Sequence, residues 1–366
     1  MSFDTVIGQE RAKQVLRLAI RADRLPHALL LTGPDGVGKA ALALALARAV
    51  NCARRGEEAC DACPSCHRVQ TLTHPDVHVL FPARRSRRES EDVDPEEERK
   101  FLSGLAHDPY RYPVAGPSET ILIDRVRRLE NDLARGLYEG RRRVAILMEA
   151  ERMRQETANA LLKTLEEPLP DTLLILVTSR PNALLPTILS RCQQVRLCPL
   201  SSEEVLRALR RDPAGIPEAR LTLIAGLCQG GLRRAYELMG QDVEDLRNQA
   251  YQFLNDGVFG ADTALFPFVE RWSAGGGDRK ALEILFEMVV TWLRDAVLVR
   301  EGAPHRILHA DRRGDVERLA AGVGVEAISR ALAEVERCRD MSRRNANVSL
   351  ILISLWRRLR RHSRAA

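Results

Sequence analysis

Residues 33–40 (GPDGVGKA) restrict the fold of this chain more than any other stretch. They follow a short apolar run and precede an Ala- and Leu-rich segment, an order that predicts a strand, a loop and a helix. Glycines let consecutive N–H groups of such a loop face one anion, the helix N-terminus adds its positive dipole end, and the lysine supplies a cation. The phosphate-binding residues predicted from this loop are Gly33, Gly36, Gly38 and Lys39.

Two positions argue against ATP hydrolysis by this chain. Ala40 follows the lysine, where the pattern asks for Ser or Thr to ligate Mg²⁺. The apolar run that begins at residue 144 predicts a buried strand, and P-loop ATPases place an Asp and then a Glu at the end of such a strand. Here the pair is Met148 and Glu149, so both metal-holding groups are missing. The Asp–Glu pair of P-loop ATPases has an alternative alignment on this strand end. In that register, Glu149 takes the place of the metal-binding acid and Glu151 that of the base-like residue.

The length and the charge of the chain limit the number of domains and the kind of partner that we expect. The 366 residues predict two or three domains, and 56 Lys and Arg against 50 Asp and Glu give a net charge of +6, which suggests acidic partners without demonstrating nucleic-acid contact. The N-terminus has no apolar signal region, and no apolar run approaches the roughly 18 residues of a membrane span. We therefore expect a cytoplasmic chain with no membrane contact, whose eight cysteines are thiols or metal ligands.

Four cysteines are close together in the sequence. Two overlapping C-x-x-C turns are able to wrap a tetrahedral ion while an earlier cysteine closes the fourth corner. The segment between residues 52 and 60 contains arginines and glutamates, which makes a set of buried core cysteines a poor alternative. A redox C-x-x-C is the minor alternative, since four filled positions leave no open place for water. The predicted ligands of a structural Zn²⁺ are Cys52, Cys60, Cys63 and Cys66.

Strands and helices alternate in the first half of the chain, which predicts a parallel sheet with helices on both faces. The predicted strands are 28–31, 77–81, 144–149 and 173–177. Residues 77–81 alternate as a strand does, and the other three are apolar runs. Residues 121–123 predict a short strand before a helix with Asp124 as candidate N-cap. The charged stretch 84–98 predicts a solvated loop, to which we assign no function.

From residue 199 onward, the sequence predicts helices alone. Ser201 and Glu204 form a capping box, and a small helical domain follows over residues 199–243. The remainder is a bundle of amphipathic helices that ends in a basic tail, 357–361. This tail either contacts nucleic acid or only keeps the terminus soluble, and we favour the second.

The chain resembles the bacterial clamp-loader ATPase family of AAA+ proteins, and within it the delta-prime type of DNA polymerase III subunit. The resemblance covers nearly all of residues 1–240, while the last third matches weakly, chiefly at 347–355. It rests on segments 7–9, 33–40, 52–66, 157–168, 190–192 and 230–233.

The resemblance implies an AAA+ domain at 1–198 with an inserted zinc module at 52–66, a helical lid domain at 199–243 and a helical collar or oligomerisation domain at 244–366. It places Arg191 at the ATP of a neighbouring subunit, where it acts in catalysis in trans. It adds Thr178 and Arg233 to a nucleotide site that is vestigial or weak.

The implied partners are the tau/gamma and delta subunits in a hetero-oligomeric ring, the sliding clamp, and primer–template DNA indirectly or weakly. The implied role is to help load the clamp on primed DNA as a component of the polymerase III holoenzyme, without intrinsic ATPase activity. Ala40 and Met148 depart from the tau/gamma motor pattern and so favour the delta-prime type.

Two other functions compete with this interpretation. The first is an ATP-hydrolysing, tau/gamma-like motor that has recruited other metal ligands. The second is a zinc-ribbon nucleic-acid binder, which the 4% aromatic content disfavours. For Arg191, the alternative is a local role, in which it caps a helix over 184–189 or pairs with a nearby carboxylate.

Overall fold

The computed structural model describes residues 2–54, 56–85, 93–116, 118–212, 215–273 and 278–363. The chain forms two compact units. The first contains Met1–Arg211 and Gln229–Tyr236, and the second contains Asp212–Cys228 and Glu237–Ala366. The three-domain division with boundaries at residues 198 and 243 stays a prediction.

A parallel sheet forms the centre of the first unit. Its strands are β1 (Ala28–Thr32), β2 (Val77–Leu80), β3 (Arg143–Leu147), β4 (Thr172–Thr178) and β5 (Gln193–Arg196). They lie in the order β2-β3-β4-β1-β5, and each neighbouring pair is parallel. Every residue of β1, β3 and β4 is buried, as expected when both faces of a parallel sheet are covered. The predicted α/β class is confirmed.

The helices of the first unit cover this sheet and include one that is buried along its whole length. That helix, α2, packs against β1 and β4, and its Ala- and Leu-rich sequence lets it approach both strands closely. The last helix of the series begins with the predicted capping box between Ser201 and Glu204. The helices are α1 (Glu10–Arg21), α2 (Lys39–Asn51), α3 (Pro64–Gln70), α4 (Pro95–His107), α5 (Ile123–Ala134), α6 (Gln155–Glu166), α7 (Pro186–Leu189) and α8 (Ser202–Leu209).

Among its described residues, the second unit contains helices joined by turns and no strand, as predicted. Its core includes the fully buried side chains of Leu285, Phe286, Trp292 and Ile328. One helix, α10, begins in the first unit and ends in the second. The helices are α9 (Glu218–Leu227), α10 (Leu232–Met239), α11 (Val243–Phe259), α12 (Leu265–Ser273), α13 (Arg279–Arg300), α14 (Arg313–Gly322), α15 (Val325–Arg343) and α16 (Val348–Ser363). Among the described residues of either unit, none of the helices combines the length and apolarity needed to cross a bilayer.

Two local predictions are wrong at helix starts. Residues 121–123 do not form a strand: Ile121 makes only an isolated bridge with Met153, and α5 already begins at Ile123. Asp124 is therefore inside the first turn, and Leu122 is the N-cap. The stretch 84–98 is not wholly a loop, because Asp94 caps α4 and the first turn of that helix contains three glutamates. Residues 86–92 of that stretch lie outside the described residues.

One strand was missed by the sequence analysis. β5 is the edge strand beside β1, and of its four residues only Val195 is buried. An edge strand pairs through its backbone and does not need the apolar run that identifies a central strand. Its polar side chains therefore gave no strand pattern.

A buried carboxylate organises the edge of the sheet where β2 and β3 begin. Asp76 precedes β2, and its oxygens accept N–H bonds from Tyr138, Glu139 and Gly140 at 2.9, 3.0 and 2.6 Å. Burial alone raises the pKa of this carboxyl, but the three N–H donors outweigh it and hold the pKa below its usual range. The turn that leads into β3 is thus fixed by the residue that leads into β2.

We predict that Asp76→Asn destabilises the first unit by about 2 kcal/mol, because an amide cannot accept at both positions and its NH₂ group meets N–H donors. Since the folded-state pKa is depressed, the stabilisation is present above the ordinary Asp pKa and is lost as the pH falls through the lower folded value. The wild-type advantage measured by urea unfolding is therefore retained at neutral pH and disappears in acid. The control Asp23→Asn, at a side chain that is 91% exposed, changes stability by less than about 0.5 kcal/mol. Equal stability of Asp76→Asn and wild type at pH 7 contradicts the prediction.

Candidate functional site

The phosphate loop lies between β1 and α2, where the sequence predicts it. Gly36 has φ +76°, and a Cβ there would lie 2.9 Å from the backbone N of Arg233, while a Cβ at Gly33 would lie 2.6 Å from the carbonyl oxygen of Leu197. Both positions require glycine because another stretch of backbone touches the loop. The N–H of Leu232 donates to the Gly36 carbonyl at 3.0 Å. The loop is therefore held between the backbone at Leu197 and the backbone at 232–233.

The ammonium group of Lys39 is bonded to its own loop. It donates to the carbonyls of Gly33 and Pro34 at 2.9 and 2.6 Å and to Ser179 Oγ at 2.9 Å. These three acceptors match the three donors of a lysine. Burial lowers the pKa of Lys39 to about 8, partly offset by nearby Asp35 and Glu151. A phosphate must displace these contacts to reach the cation.

Two tyrosines that the sequence analysis missed lie at this site, one against the loop and the other against Arg233. The ring of Tyr110 is 3.2 Å from the position that a Gly38 Cβ would take, and its hydroxyl accepts the N–H of Ile7 at 2.9 Å. Tyr112 is buried beneath Arg233, whose guanidinium lies 4.0 Å from the ring centroid. Burial raises the pKa of Tyr112 to about 12, so the phenol stays neutral. Only the scarcity of tyrosine, five in the chain, marked this pair in the sequence.

Arg233, expected at the nucleotide site, does lie beside the phosphate loop. Its Nε is 3.6 Å from the carboxylate of Asp35, a residue of the loop itself. The other resemblance-based residue, Thr178, is the last residue of β4 and pairs in register with Thr32 of β1. Its side chain is buried, and its hydroxyl accepts the N–H of Arg180 at 3.0 Å. The structure therefore brings Arg233 to the loop, while the Thr178 hydroxyl makes a local contact.

The two glutamates that follow β3, Glu149 and Glu151, make different contacts. Met148 is buried directly after β3, and Glu149 follows with φ +47° and pairs with Arg152 at 2.7 Å. Burial raises the pKa of Glu149, and Arg152 partly offsets the rise. Glu151 accepts the N–H of Ser179 at 3.4 Å, next to the hydroxyl that holds Lys39. Glu151 is therefore the carboxylate that is linked to Lys39 through Ser179. It is the base-like residue of the alternative register.

Arg191 follows α7 and is 35% exposed at the side chain. Its guanidinium donates to the Thr187 carbonyl at 3.1 Å and pairs with Glu166 at 2.8 Å. The helix it follows is one turn, shorter than the predicted 184–189. In the single chain, Arg191 thus makes both local contacts that the sequence analysis weighed as its alternative role.

The four cysteines come together at the end of α2. Their sulfur atoms all lie within 4.8 Å of one another, which is close to the roughly 3.8 Å separation of thiolates around a Zn²⁺ ion with 2.3 Å bonds. The N–H of Cys60 donates to Cys52 Sγ at 3.3 Å, and the N–H of Cys66 donates to Cys63 Sγ at 3.4 Å. Such donors stabilise thiolates. This donor set is able to hold a metal ion.

The environment of the cysteines separates them into two kinds. Burial raises the pKa of Cys66 to about 12. Burial opposes ionisation of Cys63 as well, but the N–H groups of Cys66 and Ala53 lower its pKa to about 6. Cys63 is also the N-cap of α3, whose dipole favours a negative sulfur.

Comparison with known proteins gives the family. The family model described as "DNA polymerase III, delta subunit" matches residues 8–201, and its C-terminal counterpart matches 276–360. The chain belongs to the delta-prime family of DNA polymerase III clamp-loader subunits. A delta-prime subunit of Pseudomonas aeruginosa is 35% identical over 73% of this chain and 70% of its own length, and that of Bacillus subtilis is 26% identical over 93% and 92%.

The tau subunits match this delta-prime chain over less of their own length. Tau of Escherichia coli is 29% identical over 84% of this chain but over only 43% of its own length. Tau is therefore the weaker alternative, and the resemblance drawn from the phosphate loop and the segments after it is confirmed.

Proposed function

We propose that this chain is a stationary clamp-loader subunit that completes the ATP site of a neighbouring subunit and does not hydrolyse ATP itself. The observation that carries the proposal is the state of its own phosphate loop, where Lys39 is bonded to two loop carbonyls and to Ser179. The loop keeps its glycine geometry but lacks the Mg²⁺-binding hydroxyl, because Ala40 is a buried methyl side chain.

The side chains around the loop support the same proposal. Tyr110 lies on Gly38, and Arg233 is bound between Tyr112 and Asp35. The groups that would meet a nucleotide therefore already have partners within the chain. ATP must break these intramolecular interactions before its phosphates can bind, and the free energy needed to break them is subtracted from the binding free energy. Nucleotide binding at this site is weak or absent in our proposal.

Arg191 is the residue that we propose to act on the neighbour. Its ion pair with Glu166 is half-exposed, and such pairs contribute only about 0–1 kcal/mol. A phosphate of a neighbouring ATP offers a doubly anionic, bidentate partner, which a guanidinium binds more strongly than one exposed carboxylate. The local pair is therefore compatible with a resting position that opens on assembly.

The remaining roles follow from family membership. The proposed partners are the tau/gamma and delta subunits in a hetero-oligomeric ring, with the sliding clamp as cargo and primer–template DNA contacted indirectly or weakly. In this assignment, residues 199–243 act as the lid domain and 244–366 as the collar domain. The protein is then a non-hydrolysing component of a DNA polymerase holoenzyme.

We further propose that the four-cysteine cluster holds Zn²⁺ in a structural role. Four sulfur donors within 4.8 Å of one another are able to fill all four positions of a tetrahedral ion, which leaves none for a reacting water and fits a structural site. The buried Arg48 pairs with Asp61 at 2.8 Å between two of the cysteines and so ties the ligand loop to α2.

Metal analysis of the full chain should return about one zinc ion per molecule. Cys60→Ser, which removes a half-buried ligand, should lower the zinc content and loosen this module, while circular dichroism shows the sheet intact. The control Cys198→Ser, at an exposed cysteine outside the cluster, should keep the full zinc content. A reduced, zinc-reconstituted protein that holds no metal contradicts the proposal.

ATP hydrolysis by the isolated chain should be negligible, because Ala40 and Met148 supply no Mg²⁺ ligand. The measurement is steady-state phosphate release at saturating ATP and Mg²⁺, with Lys39→Ala as the control for contaminating activity. A rate typical of a motor subunit that Lys39→Ala abolishes would establish the tau/gamma-like alternative, with Glu151 as the residue to examine next.

Arg191→Ala should leave the chain folded and assembled while it slows hydrolysis at the neighbouring ATP site by about 10³-fold or more. Arg191→Lys should rescue poorly, since a point charge does not reproduce the planar fork. The matched control is Glu166→Gln, which breaks the same local ion pair but keeps the guanidinium. If Glu166→Gln slows the reconstituted complex as much as Arg191→Ala, or if neither changes ATPase and clamp loading, the role in trans is excluded.

A further inference from the structure

A cavity of about 800 Å³ lies within the second unit, beside α12 and α16. This volume is within the usual range of ligand sites. Phe266 on its wall is 71% exposed, an unusual position for a large aromatic side chain. The apolar lining residues are Leu265, Phe266, Val269, Ile353 and Trp356, and the charged ones are Asp262, Glu270, Arg357, Arg360 and Arg361.

The two helices run antiparallel, which gives the cavity two chemically different ends. Ser273 at the end of α12 is hydrogen-bonded to Ser349 near the start of α16, while Asp262 just before α12 pairs with Arg360 near the end of α16. The arginines therefore lie at one end, beside Asp262. Glu270 lies about two helical turns away, at the end where Val269 and Ile353 face each other.

The basic tail divides into structural and unpaired arginines. Arg358 pairs with the buried Glu334 at 3.1 Å, and Arg360 pairs with Asp262 and donates to the Gly260 carbonyl, both at 2.8 Å. Arg357 and Arg361 line the cavity, and neither has an ion-pair partner within the part of the chain that the structure describes. Residues four apart on a helix share a face, so these two cations lie together.

We propose that this cavity binds an acidic amphipathic segment of a partner protein. Its apolar side chains would enter between Phe266 and Trp356, and its carboxylates would pair with Arg357 and Arg361. Charge complementarity selects the sign of the partner, and the apolar wall selects an amphipathic one.

Two other occupants fit the cavity less well. A second copy of this chain that met it through the same face would bring like-charged arginines together across a two-fold axis. A nucleic acid needs a basic surface that tracks several phosphates, whereas here the unpaired cations border one end only and Glu270 occupies the other.

The test is fluorescence anisotropy of the full chain with a short fluorescein-labelled peptide that carries leucine and phenylalanine four positions apart and glutamates between them. Phe266→Ala should weaken binding about tenfold, because it removes the exposed apolar anchor. The double variant Arg357→Glu/Arg361→Glu should weaken it by a similar factor, and added salt should reduce the affinity of the wild type. Both variants should stay folded because the changes are at exposed positions, and circular dichroism checks this.

The matched control is Arg330→Glu, a charge reversal at an exposed arginine of α15 that does not line the cavity, and it should leave binding unchanged. A peptide with lysines in place of the glutamates should not bind. Equal loss in Arg330→Glu, or equal binding of the lysine peptide, would overturn the proposal. So would tighter binding of a single-stranded oligonucleotide at the same residues, or a dimer in light scattering that Phe266→Ala dissolves.

Discussion

The hydrogen bonds of Lys39 join the phosphate loop to the end of β4 in the first unit. One ammonium group joins two carbonyls of the phosphate loop to Ser179, which directly follows β4. Because β1 and β4 are neighbours, this contact links the carboxyl ends of two central strands through the phosphate loop. The backbone of Leu232 and the ring of Tyr110 then close around the same loop. The loop whose glycines predict phosphate binding is thus bonded to its own lysine.

The edge where β2 and β3 begin has its own polar support. α2 spans 13 residues, about 20 Å, from the phosphate loop to Asn51, whose side chain bonds the backbone of Arg141 and Arg142 before β3. Asp76 fixes the same turn, and the cysteine cluster begins at the residue after Asn51. The cysteines therefore lie near the amino ends of the strands. The phosphate loop, Lys39 and Ser179 lie at the carboxyl ends.

Family membership and the chemistry of the phosphate loop both favour a delta-prime subunit over a tau-like motor, for different reasons. The delta-prime relatives match most of their own length, while the tau relative matches less than half of its own. The chemistry depends on single residues, since a methyl at position 40 and a thioether at position 148 supply no hard oxygen ligand to Mg²⁺. The sheet forms the buried core of the first unit, and the proposed role of Arg191 in trans requires that core to be folded.

Local patterns in the sequence were enough for the phosphate loop, the strands β1 to β4, the helical second half, the capping box at Ser201 and the proximity of the four cysteines. Each of these depends on residues close together in the chain, where periodicity and spacing act directly. The tertiary structure alone decided the rest. Tyr110 reaches the loop from about 70 residues away, and Tyr112 contacts Arg233. β5 pairs with β1 although its own side chains are polar, and Arg357 and Arg361 differ from Arg358 and Arg360 only in what packs beside them. Such contacts are set by how distant elements pack, and no local pattern encodes which partner a side chain will meet.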